Sequence, residues 1–452
     1  MPFDFRSGHP EPRRGVRHLL VAAVCLYFVP AAALAQSSDI DPRITALVAS
    51  VSEDRLARLV RTLASYDTRN LMSNPDPAGR GIGAARQWIF DELQGSSPRL
   101  QVSFDTYRVA PQGQRILREV ELRNVVAVLP GRSPRRVYVS GHYDTVARIG
   151  AEFDYSKGDN RAPGANDDGS GTALTMELAR VFAQSGLEFD ATLVFVAFAG
   201  EEQGLVGASL HAERARASNT VIDAVFNNDI VGGASGGAGI VDAETIRVFS
   251  EGPEDSPSRP LARHIRKAAA RYVPSHRVML IARYDRFGRG GDHTGFNQRG
   301  YTAVRITEAN ENYARQHTVN DTVDGVSVPY LARNARVNAA GVAVLALAPP
   351  SPVVTTERGA PMLTRDPSGY DAKLQWKASP GAAGYRVYWR SGWSNDWEST
   401  VAVGNVTEFI LPNVSIDDFI FGVSAVGGDG NESLVAAYVN PPRQDITVKT
   451  LP

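Results

Sequence analysis

The sequence predicts an α/β domain built on a mixed, largely parallel central sheet flanked by helices, followed by a small all-β sandwich. Three observations carry this. Short apolar, β-branched runs such as VYVSG (Val137–Gly141) and ATLVFVAFAG (from Ala191) alternate with helix-length amphipathic segments, the pattern of strands buried on both faces. Acidic residues and histidines fall just after several of these runs, where open α/β sheets place their sites. Beyond PPSPVV (Pro349–Val354) the pattern changes to short alternating strands separated by turn residues.

The chain begins with a leader. Arg13, Arg14 and Arg17 precede the apolar run LLVAAVCLYFVPAAALA, and Ala33 and Ala35 stand at signal-peptidase spacing before Gln36. Residues 1–35 are therefore expected to be a secretory signal peptide, with no membrane span left in the mature chain. The only cysteine, Cys25, lies inside it, so the mature chain has no disulfide, thiol nucleophile or Cys-type metal site. This fits export to a bacterial periplasm or exterior. Residues 36–348 form the expected catalytic domain, 349–355 a linker and 356–452 the sandwich.

Within the first domain, ITALVASVSEDRLARLVRTLASY is helical in period, with Ser52 as a cap for Arg55–Tyr66, and GAARQWIFDEL is a second amphipathic segment. QVSFDTYRV and REVELRNVVAVLPG alternate as strands; GSGTALTMELARVFAQ (Gly169–Gln184) and VPYLARNARVNAAGVAVLALA are helices. In the last domain, Trp376, Tyr385, Val387, Tyr388 and FIFGVSAVGGDGNES resemble a fibronectin type III domain. The net charge is −1, from 48 basic and 49 acidic residues, and gives no sign of a nucleic-acid partner.

The chemistry concentrates in five segments. VYVSGHYDT carries His142 and Asp144, APGANDDGSG carries Asp167 and Asp168, FAGEEQG carries Glu201 and Glu202, AVFNNDIVGG carries Asp229, and ENYARQHTVNDT carries His317. Oxygen and imidazole ligands suit hard-to-borderline divalent metals. Two such ions sharing a carboxylate would sit about 3.5–4 Å apart, close enough to activate water and clamp both oxygens of a transition state. Cations also explain why adjacent glutamates end a buried run: one binds metal while its neighbour stays free as a base. The bland readings are a helix cap at Asp167, Asp168 and Ser170, a solvated helix start at Glu201 and Glu202, and a turn at Asp229.

Taken together, HxD, GANDDGSG, GEEQG, NxD and the late HT resemble the zinc aminopeptidase family of two-zinc exopeptidases, which includes secreted bacterial leucyl aminopeptidases and, more distantly, glutamate carboxypeptidase and the transferrin receptor. The resemblance covers roughly Asp39 to Ala348. It implies that Asp167 bridges two Zn2+ ions (Co2+ or Mn2+ being able to share such ligands), with His142 and Asp229 on one ion and Glu202 and His317 on the other. It implies that Glu201 is the general base, that Asp144 bonds His142 and fixes its tautomer, and that the Asp167–Asp168 peptide is cis. Many relatives have Tyr where this chain has Gln316, which leaves Tyr313 as a possible replacement.

His293, beside Asp292 in FGRGGDHTGF, rivals His317 as a ligand, and family position favours His317. His211, His264 and His276 are expected on surfaces. The implied activity is a secreted aminopeptidase acting on peptide N-termini. A carboxypeptidase or dipeptidase on the same scaffold is the first alternative, because Arg283, Arg286 and Arg289 could read a substrate carboxylate. A degenerate binding protein and a one-metal, glutaminyl-cyclase-like transferase are the others. Tyr284, Phe287, Phe296 and Tyr313 are candidates for an apolar pocket wall.

Overall fold

A computed structural model describes residues 40–149, 152–153, 158–252, 256–367 and 369–439; the expected signal peptide and Cys25 lie outside them. The described elements run α1 (Pro42–Ala49), α2 (Glu53–Ser65), α3 (Ile82–Ser96), β1 (Gln101–Val109), β2 (Val120–Leu129), β3 (Ser133–His142), β4 (Arg148–Ile149), β5 (Glu152–Phe153), α4 (Gly169–Gln184), β6 (Ala191–Phe198), α5 (Val206–Ala217), β7 (Ile222–Asn228), β8 (Thr245–Ser250), α6 (Ser258–Tyr272), β9 (Arg277–Ile281), α7 (His293–Asn297), β10 (Ala303–Glu308) and α8 (Val328–Leu347). Ser52 caps α2 as its sequence predicts, its side chain accepting from the Arg55 amide.

Eight strands form one sheet in the order β1-β2-β6-β3-β7-β10-β8-β9. The central four, β6, β3, β7 and β10, run parallel. Their side chains alternate between two apolar layers. Val137, Val139, Leu193, Phe195 and Phe226 pack with α1–α4, α6 and α8, whereas Tyr138, Val194, Val196, Phe198 and Val225 pack with α5 and α7. Burial on both faces is why these strands read as continuous apolar runs. The parallel arrangement also brings four carboxyl ends to one rim. His142 ends β3, Glu201 and Glu202 follow β6, Asp229 follows β7 and Glu308 ends β10.

The C-terminal strands are β11 (Leu363–Arg365), β12 (Asp371–Gln375), β13 (Gly384–Ser391), β14 (Ser399–Gly404), β15 (Glu408–Ser415), β16 (Phe419–Val426) and β17 (Ala436–Ala437). They form antiparallel sheets of three and four strands, enclosing Leu374, Trp376, Tyr385, Val387 and Phe421. The expected linker is partly drawn into this sandwich: Val353 bridges Lys377 and Val354 joins the core. The sandwich is fastened to the first domain rather than tethered to it. Lys267 on α6 reaches Glu432 at 2.8 Å and the Tyr388 hydroxyl at 2.9 Å, Arg263 donates to the Asn395 carbonyl at 2.7 Å, Arg266 pairs with Asp396, and Arg43 meets Asp429 at 2.6 Å.

Candidate metal centre

The five predicted ligands converge on that rim. His142 Nε2 lies 3.3 Å from Asp167 Oδ1 and 3.8 Å from Asp229 Oδ1. His317 Nε2 lies 2.8 Å from Asp167 Oδ2 and 3.2 Å from Glu202 Oε1. Ligand atoms of His142, Asp167 and Asp229 fall within 4.8 Å of one another, and so do those of Asp167, Glu202 and His317. Asp167 thus offers one oxygen to each group. Glu201 forms a third such group with His142 and Glu202.

The donor set fits metal. His142 Nε2 and Glu202 Oε1 are buried without a hydrogen-bond partner, a costly arrangement unless a cation takes them. The electrostatics agree. Burial favours a neutral His317 ring, yet Glu202 and Asp167 push its pKa up to about 11. Burial likewise opposes a charge on His142, but Glu201 and the carboxyls of Asp144, Asp167 and Asp229 raise it well above the usual range. Burial, with Asp229, Glu202 and Asp292 nearby, raises Glu201 well above the usual carboxylate range. The cluster carries more negative charge than its own side chains neutralise comfortably.

Three buried carboxylates hold the ligand loops by their main chain. Asp144 accepts from the amides of Glu201 and Glu202, both at 3.1 Å. Asp168 accepts from His142 N at 3.0 Å, Gly171 N at 2.8 Å and Ile230 N at 3.1 Å, and so caps α4 as well. At Gly171 a Cβ would lie 2.3 Å from the Asn228 carbonyl oxygen, so the approach requires glycine. Asp321 accepts from Asn166 N at 3.0 Å and Asp167 N at 2.9 Å. The Asp167–Asp168 peptide is cis, as the resemblance implied.

One expectation is revised. The His142 ring nitrogen Nδ1 lies 3.1 Å from the Asp144 main-chain carbonyl and 3.6 Å from its carboxyl oxygen. The carbonyl is the acceptor, which puts the proton on Nδ1 and leaves Nε2 free to ligate. The Asp144 carboxyl is occupied instead by the Glu201–Glu202 loop.

Gln316 donates through Nε2 to Asp167 Oδ2 at 3.0 Å and accepts from Arg289 at 3.1 Å, so it braces the shared carboxylate. Tyr313 is exposed and lines a cavity of about 540 Å3 with Glu201, Glu202, Arg115, Arg148 and Arg289. Arg286 is buried against Asp285 and Glu311. Three predicted wall residues lie elsewhere: Tyr284 is exposed, donates its hydroxyl to the Arg289 carbonyl at 2.6 Å and lines neither described cavity. Phe296 is wholly buried between Tyr138 and Phe198, because its segment is the short helix α7 rather than a loop. Phe287 is 90% exposed, with Arg283 over its ring, and neither lines a described cavity.

His293 is no rival ligand. Its Nε2 is 2.9 Å from the Tyr284 carbonyl, and burial with Arg305 nearby lowers its pKa to about 4. Nor are the other histidines superficial. His276 is buried 2.7 Å from Asn334, His264 is 2.9 Å from the Gly341 carbonyl, and His211 packs on Tyr138 and Phe198 beside Asp105. Sequence reasoning missed Arg305, a fully buried guanidinium on β10 that donates to Asp229 Oδ2 and to the Gly290 carbonyl. It also gave no role to Asp292, which is buried with neither carboxyl oxygen hydrogen-bonded; burial, Asp144 and Asp229 push its pKa up to about 8.

A mixed sheet bearing a buried His, Asp and Glu cluster at its carboxyl rim has the donor set of a metalloprotein. The comparisons agree. The profile of peptidase family M28 matches residues 124–342. A probable zinc metalloprotease of Leptosphaeria maculans is 39% identical over 87% of this chain and 96% of its own length. One of Pyricularia oryzae is 39% identical over 87% and 84%. The chain belongs to peptidase family M28 and is a zinc metallopeptidase. Its fold is similar to the LapA aminopeptidase of Legionella pneumophila, at TM-score 0.52 and 21% identity over 67% of this chain and 75% of that one. It is also similar to a glutaminyl cyclase of Porphyromonas gingivalis, at TM-score 0.51 and 17% identity over 65% and 98%.

Proposed function

We propose that the protein is an exported aminopeptidase using two zinc ions. His142, Asp167 and Asp229 would hold one ion, and Asp167, Glu202 and His317 the other. The observation that carries this reading is the pair of ligand groups sharing Asp167, with Glu201 beside them. When bound, such a pair supplies an acidified water and a polarised scissile carbonyl. Glu201 takes the proton from the attacking water and returns it to the leaving amine, so one carboxyl serves as base and then acid. Asp144 fixes the Glu201 main chain during this exchange.

Gln316 is committed to Asp167 and Arg289, so among the residues flagged from sequence the Tyr313 hydroxyl is left to meet the substrate carbonyl. The leader ending at Ala35 supports export to the periplasm or exterior, and N-terminal sequencing of the secreted protein should start at Gln36. The fibronectin type III-like sandwich acts as an accessory module for attachment or spacing, since it contributes no residue to either described cavity.

A second reading has its own support. Arg115, Arg148 and Arg289 line the larger cavity and could grip a substrate carboxylate, as a carboxypeptidase or dipeptidase requires. Purified enzyme should cleave leucine p-nitroanilide and leave N-acetylated dipeptides intact. The reverse pattern would replace the aminopeptidase reading with this one. Zinc well below two ions per chain in an inactive protein would favour a binding protein.

A further inference from the structure

The fourth parallel strand also ends on the rim. Three neighbours deliver metal-centre residues there, and β10 delivers Glu308. Glu308 is 0% exposed. Its Oε2 accepts from Asn166 Nδ2 at 2.9 Å and from Gly233 N at 2.6 Å, while Oε1 has no partner. A buried carboxyl with one oxygen unsatisfied is costly unless a ligand completes it. Glu308 lines a second cavity, of about 350 Å3, whose wall includes Asp167 and Gln316, the residues it shares with the larger cavity. This volume is near the lower end for ligand sites and suits one side chain. Ile230 and Val326 give the cavity apolar wall, and Asp321 and Asp324 add acidic groups. Arg315, its one basic lining residue, is paired with Asp324 at 2.6 Å.

We propose that this smaller cavity receives the side chain of the residue N-terminal to the cleaved bond, and that Glu308 selects side chains ending in a cation or a hydrogen-bond donor. Lysine fits both parts, an alkyl stem for Ile230 and Val326 and an ammonium for Oε1. Burial, with Glu311 and Asp321 nearby, holds the Glu308 pKa well above the usual range, so an arriving ammonium supplies the positive partner the carboxyl lacks. At Gly233 a Cβ would lie 2.7 Å from Glu308 Oε2, so glycine permits the main-chain contact that orients the carboxyl.

The assignment rests on the aminopeptidase reading, and its test separates the two. Lysine, arginine, glutamine and leucine anilides are compared on the zinc-loaded wild type and on Glu308→Gln. The wild type should favour lysine over leucine in kcat/KM. Glu308→Gln should lower that preference about tenfold, the size of one lost hydrogen bond to a charged group, mainly through the KM of the lysine anilide. Calorimetric binding of lysinamide and leucinamide to the same proteins gives a measure independent of turnover. Tighter lysinamide binding that Glu308→Gln abolishes supports the pocket even if no anilide is cleaved, in which case only the reaction assignment falls. A wild type that turns over or binds the leucine compound better than the lysine compound overturns the proposal, whether or not the variant folds. An unchanged lysine preference in a folded Glu308→Gln also overturns it.

Discussion

Replacing Glu201 by glutamine separates proton transfer from metal holding. The side chain lies within ligand distance of His142 and Glu202, so geometry alone would allow it to bind metal. Two observations favour the proposed role in proton transfer. Five other side chains already fill two groups around Asp167, and the Glu201 main chain is pinned by Asp144 at 3.1 Å, so an isosteric change should not move the loop. A positioned general base contributes about 10²–10⁴ in rate, or about 3–5 kcal/mol in barrier. Glu201→Gln should therefore lower kcat on leucine anilide at least a hundredfold while elemental analysis still finds wild-type zinc. The substitution also removes a carboxyl whose ionised form is disfavoured by burial and by Glu202, Asp229 and Asp292 nearby. The metal-free variant should consequently melt no lower than metal-free wild type. Lost zinc, or a kcat within tenfold of wild type, would refute the assignment and exchange the roles of Glu201 and Glu202.

Asp144→Asn keeps one acceptor oxygen for the Glu201 and Glu202 amides and loses the other; zinc affinity or kcat should fall about 10–100-fold, as for other groups that orient ligands, read by competition with a chromophoric chelator and by turnover. Arg305→Met leaves Asp229 without its buried cation and should destabilise the protein by about 3–5 kcal/mol in urea unfolding, with Arg305→Lys recovering part of it. In chelator, the fold should lose stability as pH rises: the His317 contribution is full below its unfolded value of 6.5 and is lost toward about 11, and Glu201 and Glu202, raised by burial, push the same way. Zinc affinity should move oppositely, rising with pH as the two ring protons leave, so urea midpoints and zinc competition measured from pH 6 to 9 should diverge.

Three of the five candidate ligands, His142, Glu202 and Asp229, stand out in the sequence because each follows a buried parallel strand marked by an apolar run and an abrupt switch to His, Asp or Glu, whereas Asp167 comes from the Gly-rich loop before α4. Family resemblance then supplied the late histidine, which follows no strand directly. Arg305 was illegible for a specific reason. An arginine inside VRIT looks like the solvent side of an edge strand, and only the pairing of β10 with β7 places it beneath Asp229. That pairing joins segments far apart in sequence, and single-sequence periodicity carries no information about it. Phe296 failed in the opposite direction: its Gly-rich surroundings suggested a loop, whereas α7 packs it into the layer with Tyr138. Asp144 was assigned to the correct locality and to the wrong partner, since a two-residue spacing cannot say whether the carboxyl or the carbonyl faces the ring.

The framework around the metal centre explains how these loops stay in place before any ion binds. Asp144, Asp168 and Asp321 together take main-chain N–H groups from the loops carrying Glu201, Glu202, His142 and Asp167, and from Ile230 next to Asp229. Four of the five segments of the candidate centre are thus tied by carboxylates outside the candidate ligand groups. The His317 carbonyl accepts from Arg148 N at 2.9 Å, and its backbone has a left-handed φ of 55°. Metal removal should therefore act locally. With EDTA, circular dichroism should stay native and activity should disappear, while hydrogen exchange should speed up at residues 312–320 and stay slow at Glu201–Glu202. Global unfolding on chelation would mean that the ions, rather than these carboxylate–amide ties, hold the rim together.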